Sequence, residues 1–511
     1  MRASTRNGTW AATRLAAIAH VIRGRVKPQD HPELPFVGMD NVEAHTMRLL
    51  GTVPSSTMKS ASVHFRSGDV LYGRLRPYLN KVLSPDFEGL ASAEFIPLTT
   101  PEGVVPRFLQ YRLNAADFVT YASHLDEGDR PRVDYDQIGA FEIELPASGE
   151  QRRIVEAIES YFTRLDDAVA TLERVQRNLR RYRASVLKAA VEGRLVPTET
   201  ELAHAGGRDY EPASILLERI LAERRRRWEE AELAKMKAMG KTPKDDKWRA
   251  KYKEPLAADA ADLPLLPEGW RWTTVDALSW DGGYGTSRKC HAEAGGPPVL
   301  RIPNVQNETL TFDDLKFATG EDDLPPDGVL VPGDFVFIRT NGSKSLIGRG
   351  ALVVSPLPRE YFFASYLIRL RLAASSTTAK WFALAWHVPV VRDQLLRDAA
   401  SSAGQHNVSL SAARSYLVPL PPVAEQERIL AEVERLLSIG DSANSNVLPS
   451  ITRAASLRQS ILKWAFEGRL VDQEPTDEPA SRLLERIQAE RASVARGAGD
   501  KVRRIRKKGA R

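Results

Sequence analysis

The chain has 511 residues, of which 72 are Lys or Arg and 66 are Asp or Glu, so its formal net charge at pH 7 is +6. A chain of this length is expected to form about three or four domains of roughly 150 residues, each with its own core. The single cysteine, Cys290, excludes a disulfide scaffold and a cysteine-based zinc site and fits a reducing cytoplasm, and no segment approaches the ~20 apolar residues that span a bilayer.

The N-terminal segment, residues 1–146, has the pattern of a mixed α/β domain that is rich in strands and turns. Short apolar runs at 36–39, 69–72 and 95–98 are separated by Gly, Pro and Asn. Such runs between turn-forming residues are typical of strands.

A long helix is predicted within residues 147–197. Its apolar residues alternate in steps of four and three over about five heptads, which is the signature of a coiled-coil helix. Glu150 places negative charge in the first turn, and Gly193 is expected to end the helix. The apolar seam comprises Ile154, Ile158, Leu165, Leu172, Leu179 and Val186, with Tyr161, Ala168, Val175, Tyr182 and Ala189 at the alternating positions.

A charged connector follows at 198–262, with a helix predicted over 214–237, and leads into a second mixed domain at 263–421. The last segment, 473–511, is charged and basic and is predicted to be a helix or tail. Three basic runs, at 177–183, 224–227 and 501–508, are compatible with nucleic-acid binding, although a charge run on a helix is most often a solvated face.

A second long helix is predicted within residues 422–472, but its seam is irregular. Gly440 falls on a seam position, and Pro449 must break or kink the helix, so an interruption is expected at 440–449. The seam residues on either side are Ile429, Val433, Leu457 and Ile461.

The two halves of the chain repeat the same motifs at a constant offset. Leu145-Pro146 with Glu150-Gln151 recurs as Leu420-Pro421 with Glu425-Gln426, and residues 185–196 recur as 460–471, each 275 positions later. A period this long is outside the range of solenoid repeats, so whole domains are duplicated. Because a lone coiled-coil helix cannot bury its apolar stripe, the two long helices are expected to pair with each other; the alternative is that each packs only on its own domain.

Each mixed domain carries two polar, basic loops, at 73–81 and 127–138 in the first domain and at 339–349 and 402–412 in the second. Arg, Asn and Gln side chains read base edges and Lys binds phosphates, so these loops are candidates for DNA recognition. For any single residue, a phosphate contact or a solvated side chain is an equally good interpretation. The candidates are Arg74, Arg76, Tyr78, Lys81, Arg130 and Arg132 in the first domain, and Arg339, Asn341, Lys344, Arg349, Gln405, His406 and Asn407 in the second.

A search for catalytic motifs finds none in the sequence. There is no GxxxxGK[ST] phosphate loop, no Asn-Pro-Pro-aromatic tetrapeptide and no glycine-rich cofactor loop after a strand, and the nine histidines are scattered without metal-ligand spacing. No catalytic residue, cofactor or metal site is therefore predicted in this chain, and any catalysis is expected to belong to partners.

The motifs together resemble the specificity subunit of type I restriction–modification systems. The resemblance rests on LPxxxEQxRI, SxLKxAxEGRLV, EPASxLLERIxAER and LPEGWxW, and it covers nearly the whole chain in the order variable, conserved, variable, conserved. It implies an α+β fold in which target recognition domains at 1–146 and 263–421 alternate, in a pseudo-twofold arrangement, with the coiled-coil regions at 147–197 and 422–472. Pro449 and the long connector depart from the pattern and leave the spacer length open.

The resemblance also implies the function and the partners. Each recognition domain would read half of a bipartite site in double-stranded DNA, and the helices would form an antiparallel spacer that docks two methyltransferase subunits and the restriction–translocase subunits. S-adenosylmethionine, ATP and Mg²⁺ are expected in those partners. The alternatives are a self-sufficient DNA-binding or architectural protein that dimerises through its helices, and a coiled-coil adaptor without a DNA role. The repeated EPASxLLERI segments, at Glu211 and Glu478, favour the first interpretation because they suggest two equivalent docking sites.

Overall fold

The computed structural model describes residues 9–126, 128–243, 245–293, 295–306, 308–319, 324, 326–402 and 405–493. The chain divides into two compact units, which we call unit 1 (Met1–Arg174 with Asn446–Arg511) and unit 2 (Val175–Ser445). Within the described part of the chain, no helix combines the length and the apolar character that a bilayer crossing requires.

The first mixed domain contains short strands and helices that lead into one very long helix. The strands are β1 (Ala11–Arg14), β2 (His20–Val21), β3 (Pro35–Val37), β4 (Val53–Pro54), β5 (Val63–Phe65), β6 (Val70–Gly73), β7 (Val82–Leu83), β8 (Gly89–Ala91), β9 (Phe95–Thr99) and β10 (Glu142–Leu145). The helices are α1 (Leu15–Ile18), α2 (Pro106–Arg112), α3 (Ala116–Ser123), α4 (Tyr135–Gly139) and α5 (Ser148–Val191).

The connector and the second mixed domain follow the same plan. The helices are α6 (Glu199–Gly206), α7 (Ala213–Ala238), α8 (Val275–Leu278), α9 (Ser376–Trp386), α10 (Pro389–Asp398), α11 (Leu410–Ser415), α12 (Val423–Ser445) and α13 (Val447–Phe466). The strands are β11 (Arg271–Thr274), β12 (Ser279–Tyr284), β13 (Cys290–His291), β14 (Pro298–Leu300), β15 (Val305–Gln306), β16 (Thr309–Leu310), β17 (Lys316–Ala318), β18 (Asp334–Ile338), β19 (Thr340–Asn341), β20 (Gly350–Leu352), β21 (Phe362–Phe363), β22 (Leu367–Leu372), β23 (Ala400–Ser402), β24 (Gln405–Asn407) and β25 (Leu417–Leu420).

The sheets of the two domains correspond. Each domain has two four-stranded sheets, in the orders β2-β9-β6-β7 and β4-β3-β8-β5 in the first and β12-β22-β18-β20 and β13-β17-β14-β21 in the second. One parallel pair recurs, β3 with β8 and β14 with β21, and a two-stranded ladder, β1 with β10 and β11 with β25, precedes each long helix. The predicted alternation of mixed domains with long helices is therefore confirmed. The sequence analysis did not place the buried helices α2, α3, α9 and α10, which are short and carry no long periodic pattern.

The repeated Glu-Gln pair binds each long helix to its own domain. The indole of Trp10 donates to Glu150 Oε1 at 2.9 Å, and the indole of Trp270 donates to Glu425 Oε1 at the same distance. Glu150 and Glu425 are both fully buried. In each case, burial raises the pKa of the carboxyl group. The motif is therefore repeated because each copy makes the same buried connection.

The EPASxLLERI segments are also part of the cores. Ala213, Leu216 and Ile220 are buried in the apolar cluster of unit 2, and the main-chain N–H of Ala213 donates to the carbonyl of Gly269 at 2.8 Å. In unit 1 the helical segment 480–493 buries Leu483 and Ile487 in the same way, and the N–H of Ala480, which is also buried, donates to the carbonyl of Thr9 at 2.9 Å. Packing on the recognition domain accounts for the apolar face of each segment, and docking of a partner by the exposed face stays a prediction.

The long helices pair antiparallel within each unit. In unit 1 the buried Ile154 and Ile158 of α5 share a cluster with Ile461 of α13, and Arg458 forms an ion pair with Asp166 and lies over the Phe162 ring. In unit 2, Val186 shares a cluster with Ile429 and Val433 of α12. Leu165, Leu172 and Leu179 are half-buried between these ends.

The seam differs from the heptad prediction at alternate positions. Phe162 is 6 % exposed, whereas Tyr161 is 44 % exposed, and Val175 and Tyr182 are likewise exposed at 38 % and 43 %. The inward alternate positions lie one residue further along, at Phe162, Val169, Gln176 and Arg183, and they keep the alternation of three and four that a heptad requires. Leu457 was also placed wrongly, since it is 43 % exposed.

The second helix is interrupted where the prediction placed the break. Helix α12 ends at Ser445 and α13 begins at Val447, which puts Pro449 in the first turn of α13, where its missing N–H is tolerated. Gly440 lies inside α12, and a Cβ added there would meet Leu179 Cδ2 at 3.9 Å. The small residue on the seam therefore lies opposite a leucine of α5.

Candidate nucleic-acid interface

In unit 1 the two loops predicted from the sequence lie together. Loop A (residues 73–81) follows β6, and loop B (residues 128–134) precedes α4. The N–H of Arg76 donates to the carbonyl of Pro131 at 2.8 Å, the N–H of Val133 donates to that of Arg74 at 3.1 Å, and Leu75 forms an isolated β-bridge with Arg132. The main chain thus joins both loops into one surface. Glu127, which begins the predicted second loop, lies outside the described residues.

The side chains of loop A differ in what they can do. Arg76 is exposed and adopts a left-handed conformation with a φ of 52°, and Tyr78 is 46 % exposed. Arg74 is half-buried beneath them. The ammonium of Lys81 donates to the carbonyl of Met39 at 2.6 Å, so it fixes the loop and is not a free cation.

In loop B, Arg130 is exposed, whereas Arg132 pairs with Glu94 at 2.7 Å. Asp126 closes this loop by accepting hydrogen bonds from the N–H groups of Arg132 at 2.7 Å and Gly128 at 3.1 Å. These main-chain donors hold the pKa of the Asp126 carboxyl below its usual range. Loop B is therefore held in a fixed conformation beside loop A.

Unit 2 repeats this construction in its two predicted loops. Strand β19 opens loop C (residues 339–349) and pairs with β24, which opens loop D (residues 405–412). The N–H of Val408 donates to the carbonyl of Arg339 at 2.9 Å. This bond is the counterpart of the one from Val133 to Arg74, and Val408 lies 275 positions after Val133. Residues 403 and 404 of the predicted loop lie outside the described residues.

The helix that follows the second loop is capped equivalently in both units. Asp134 accepts from the N–H of Gln137 at 2.9 Å at the start of α4, and Ser409 accepts from that of Ala412 at 3.1 Å at the start of α11. Asp, Ser, Asn and Thr are the favoured residues at such N-terminal caps. The cap fixes the direction in which each loop enters its helix.

Arg339 is held by the protein itself. Its guanidinium donates to the carbonyls of Ser365 at 3.2 Å and Val408 at 3.4 Å and lies 4.7 Å from the centre of the Tyr284 ring. The hydroxyl of Tyr284 in turn accepts from the N–H of Leu410 at 2.9 Å. Arg339 therefore positions loops C and D, and Tyr284, which no sequence signal singles out, assists it.

The remaining candidates in unit 2 are mostly exposed. Lys344, Arg349, Gln405 and Asn407 are exposed, and His406 is half-buried. The carboxamide oxygen of Asn341 accepts from the N–H of Ser343 at 2.8 Å and shapes the turn of loop C.

One basic residue of this surface escaped the sequence analysis. Arg392 of α10 donates to the carbonyl of Ser345 at 3.2 Å. Burial lowers the pKa of Arg392, and the positive charge of Arg349 adds to the effect. Two guanidinium groups thus lie near each other at the edge of loop C.

Ion pairs neutralise part of the basic charge on the helices. In the run 224–227, Arg226 pairs with Glu223 at 2.7 Å and Arg227 pairs with the same carboxylate at 2.6 Å, while Arg224 is 8 % exposed. In the run 177–183, Arg183 pairs with Glu308 at 2.8 Å. The run 501–508 lies outside the described residues.

A search of the described residues for clusters of three or more His, Cys, Asp or Glu side chains that could hold a metal ion finds none. Cys290 and His291 form the short strand β13, which pairs with β17.

The chain is similar in sequence to the specificity subunits of type I restriction enzymes. It is 26 % identical over 359 residues to the EcoKI specificity subunit of Escherichia coli K12, covering 69 % of this chain and 64 % of that one. It is 26 % identical over 364 residues to the StySPI specificity subunit of Salmonella potsdam, covering 68 % and 64 %. The chain thus matches slightly under two thirds of the length of these relatives. A search against protein-family models finds no match.

The fold agrees with the sequence similarity. A chain from a structural study of complex assembly and conformational transition in the type I restriction–modification system superposes with a TM-score of 0.57 at 20 % identity, covering 90 % of this chain and 98 % of that one. In sequence and in fold, the chain is thus similar to the specificity subunits of type I restriction enzymes, the family that its duplicated motifs resemble.

Proposed function

We propose that this chain is the DNA-reading subunit of a type I restriction–modification enzyme. One observation carries the proposal: in each of two divergent domains, a main-chain hydrogen bond between equivalent positions joins two polar loops into one surface. A side chain reads a base edge only if its backbone is held in register with the groove, and such loops on a rigid frame provide that support. Two such surfaces on one chain fit a bipartite site in double-stranded DNA, with one half for each domain.

The exposed candidates are the expected DNA contacts. In unit 1 these are Arg76, Tyr78 and Arg130, and in unit 2 they are Lys344, Arg349, Gln405 and Asn407. Lys81, Arg132 and Arg339 have protein partners and are expected to hold the loops in place. His406 and Asn341 lie opposite each other in the β19–β24 pair that joins loops C and D.

We further propose that the chain itself is not catalytic and that methyl transfer and DNA cleavage occur in partner subunits. Two methyltransferase subunits and the restriction–translocase subunits would supply S-adenosylmethionine, ATP and Mg²⁺ chemistry. In unit 2, the exposed Val175 and Tyr182 of α5, seven residues apart, offer apolar surface for such a partner.

The alternative of a self-sufficient protein that dimerises through its helices has less support. The apolar seam that would drive such pairing is already occupied within the chain, because Ile154 and Ile158 pack with Ile461, and Val186 packs with Val433. A coiled-coil adaptor without a DNA role leaves the paired polar loops without an explanation.

Selection from a randomised duplex library tests the proposal. The full chain, alone and with its methyltransferase partner, should enrich two short fixed sequences that are separated by a gap of fixed length and free composition. The chain alone should transfer no methyl group from S-adenosylmethionine to the selected DNA. Enrichment of one contiguous site, or methylation by a preparation free of any partner, would contradict the proposal.

The length of α5 should set the gap. Its 44 residues form a rod of roughly 65 Å at ~1.5 Å per residue. Inserting four residues after Arg174, with four after Ser445 to keep the seam paired, adds ~6 Å of helix. We expect the selected gap to widen by about one or two base pairs at ~3.4 Å per pair, with both half-sites unchanged.

A matched insertion provides the control for this experiment. Four residues placed after Gly240, in the exposed turn that ends α7, lengthen the chain without lengthening α5. This variant should keep the original gap. If the gap stays the same in the α5 variant, or if the half-sites change, the helix does not act as the spacer.

A further inference from the structure

A third loop of unit 1 lies against loop A. Residues 43–48, which we call loop E, form a tight turn between Val42 and Leu49, which make an isolated β-bridge. The N–H of Glu43 donates to the carbonyl of Arg48 at 3.0 Å and closes the turn. None of the residues of loop E was a candidate in the sequence analysis.

Main-chain bonds connect loop E to the proposed DNA-binding surface. The N–H of His45 donates to the carbonyls of Leu79 at 3.2 Å and Asn80 at 3.3 Å, immediately after Tyr78. The bond from Lys81 to Met39 fixes the segment that leads into loop E. Loop E is therefore held in place next to loop A.

Unusual backbone conformations concentrate in these two loops. Among the described residues, six non-glycine residues have a positive φ, and four of them are His45 (64°), Met47 (61°), Arg76 (52°) and Asn80 (41°). Such conformations cost of order 1–3 kcal/mol each and persist where the surrounding structure demands them, often at binding sites. The shared conformation suggests that both loops serve the same surface.

Some side chains of loop E hold the turn in place, and others are exposed to solvent. Met47 packs against the apolar cluster of unit 1, and the hydroxyl of Thr46 donates to Glu43 Oε2 at 2.9 Å and accepts from the N–H of Arg48 at 3.3 Å. His45 and Arg48 are exposed, and no ion pair or side-chain hydrogen bond is found for either within the described residues. An imidazole and a guanidinium are thus presented by a rigid turn.

The equivalent turn of unit 2 carries an acidic residue in the left-handed conformation and makes a different contact. It joins β15 to β16, and Glu308 occupies the left-handed position there with a φ of 66°. Glu308 is directed to α5, where its carboxylate pairs with Arg183 at 2.8 Å. A carboxylate would repel DNA phosphates, whereas in loop E the exposed Arg48 would attract them and the carboxylate of Glu43 accepts a hydrogen bond from the hydroxyl of Thr46.

We propose that loop E is a third DNA-contacting element of the first recognition domain, with Arg48 binding a backbone phosphate and His45 contacting the DNA beside the base pairs that loop A faces. The inference rests on the proposed function. It extends the contacts of the first half-site and assigns no counterpart to the second.

Two substitutions in the full chain test the inference. In Arg48→Ala, binding to every DNA sequence should weaken about tenfold, and the slope of log K against log salt concentration should fall by about one, because one phosphate contact is lost. His45→Gly removes the side chain, and glycine adopts the positive φ of this position without strain. Binding should weaken at the first half-site only. Arg66→Ala is the matched control, since Arg66 is an exposed arginine that precedes β6, at the end of this strand opposite loop A.

Measuring Arg76→Ala in the same assay distinguishes a failure of the loop E proposal from a failure of the proposed function. If Arg76→Ala relaxes the first half-site while Arg48→Ala and His45→Gly bind like the Arg66→Ala control, the role of loop E is wrong and the proposed function stands. If none of these variants changes binding, the proposed function itself is wrong. Unfolding temperatures equal to that of the parent chain would show that the variants fold.

Discussion

Replacing Glu425 with alanine should destabilise unit 2 by about 3 kcal/mol, because two buried N–H groups lose their acceptor. The indole of Trp270 and the main-chain N–H of Glu199 both donate to this carboxylate at 2.9 Å, and Glu425 is fully buried. The loss exceeds that of an ordinary surface change because neither donor can reach water in the folded state.

Hydrogen–deuterium exchange and thermal unfolding of the full chain provide the measurement. We expect faster exchange in the peptides that contain Trp270 and Glu199, together with a lower unfolding temperature for unit 2. Glu427→Ala is the matched control, because Glu427 is an exposed glutamate two residues along the same helix. Equal behaviour of the two variants would mean that the repeated Glu does not hold the helix to its domain.

The same residue predicts a dependence of stability on pH. Burial raises the pKa of Glu425 in the folded state, so the folded chain binds this proton more tightly than the unfolded chain does. The part of the stability that is linked to this proton is therefore fully present below the unfolded pKa of about 4.3 and is lost as the pH rises through the raised folded pKa; it is separate from the stabilisation by the two accepted hydrogen bonds. Glu425→Gln, which cannot ionise, should remove this part of the pH dependence when unfolding is measured between acid and neutral pH.

The sequence predicted those features that depend on repetition and period. The 275-residue offset located both domains and both helices, because each copy of the motif makes the same buried bonds, such as those from Trp10 and Trp270. Pro449 predicted the break in the second helix, because proline is tolerated only in a first turn. These signals are local and need no knowledge of the partner segment.

Features that depend on a tertiary partner could not be predicted. Lysine is a residue type that binds phosphates, but the ammonium group of Lys81 donates to the carbonyl of Met39, which is distant in the sequence. Arg339 is similarly held by Ser365 and Tyr284. The seam contains Phe162 and not Tyr161; both residues satisfy an apolar pattern, and only the contact of Phe162 with the Tyr111 ring of the recognition domain distinguishes them.

The roles of the loop residues in DNA recognition could not be predicted either. Arginines and asparagines in a turn can read bases, hold phosphates or cap the turn itself, as Asn341 does, and composition does not distinguish these roles. Pairing between loops 50 to 70 residues apart in sequence, such as Val408 with Arg339, follows only from the sheet topology. The sequence therefore predicted which loops form the candidate site but not the role of each residue in them.

Arg76→Ala should relax sequence preference at one half-site and leave the other unchanged. Arg76 is exposed at the junction of loops A and B, where its own N–H donates to Pro131. If its guanidinium reads a base edge, its loss should cost about 1–3 kcal/mol at that position, which is roughly a sixfold to 150-fold change in affinity for the preferred base. Binding to a panel of duplexes with single base changes across both half-sites measures this effect, with Arg66→Ala as the control.

Arg339→Ala should change DNA binding in a different way from Arg76→Ala. Because the Arg339 guanidinium holds Ser365, Val408 and the Tyr284 ring together, its loss should loosen loops C and D as a whole. We therefore expect weaker binding over the whole second half-site, with no single base pair singled out, and faster hydrogen–deuterium exchange in residues 405–412. Arg339→Lys keeps the charge but not the planar fork and should restore little. Changes at the same base pairs in Arg76→Ala and Arg339→Ala would contradict the assignment of one half-site to each domain.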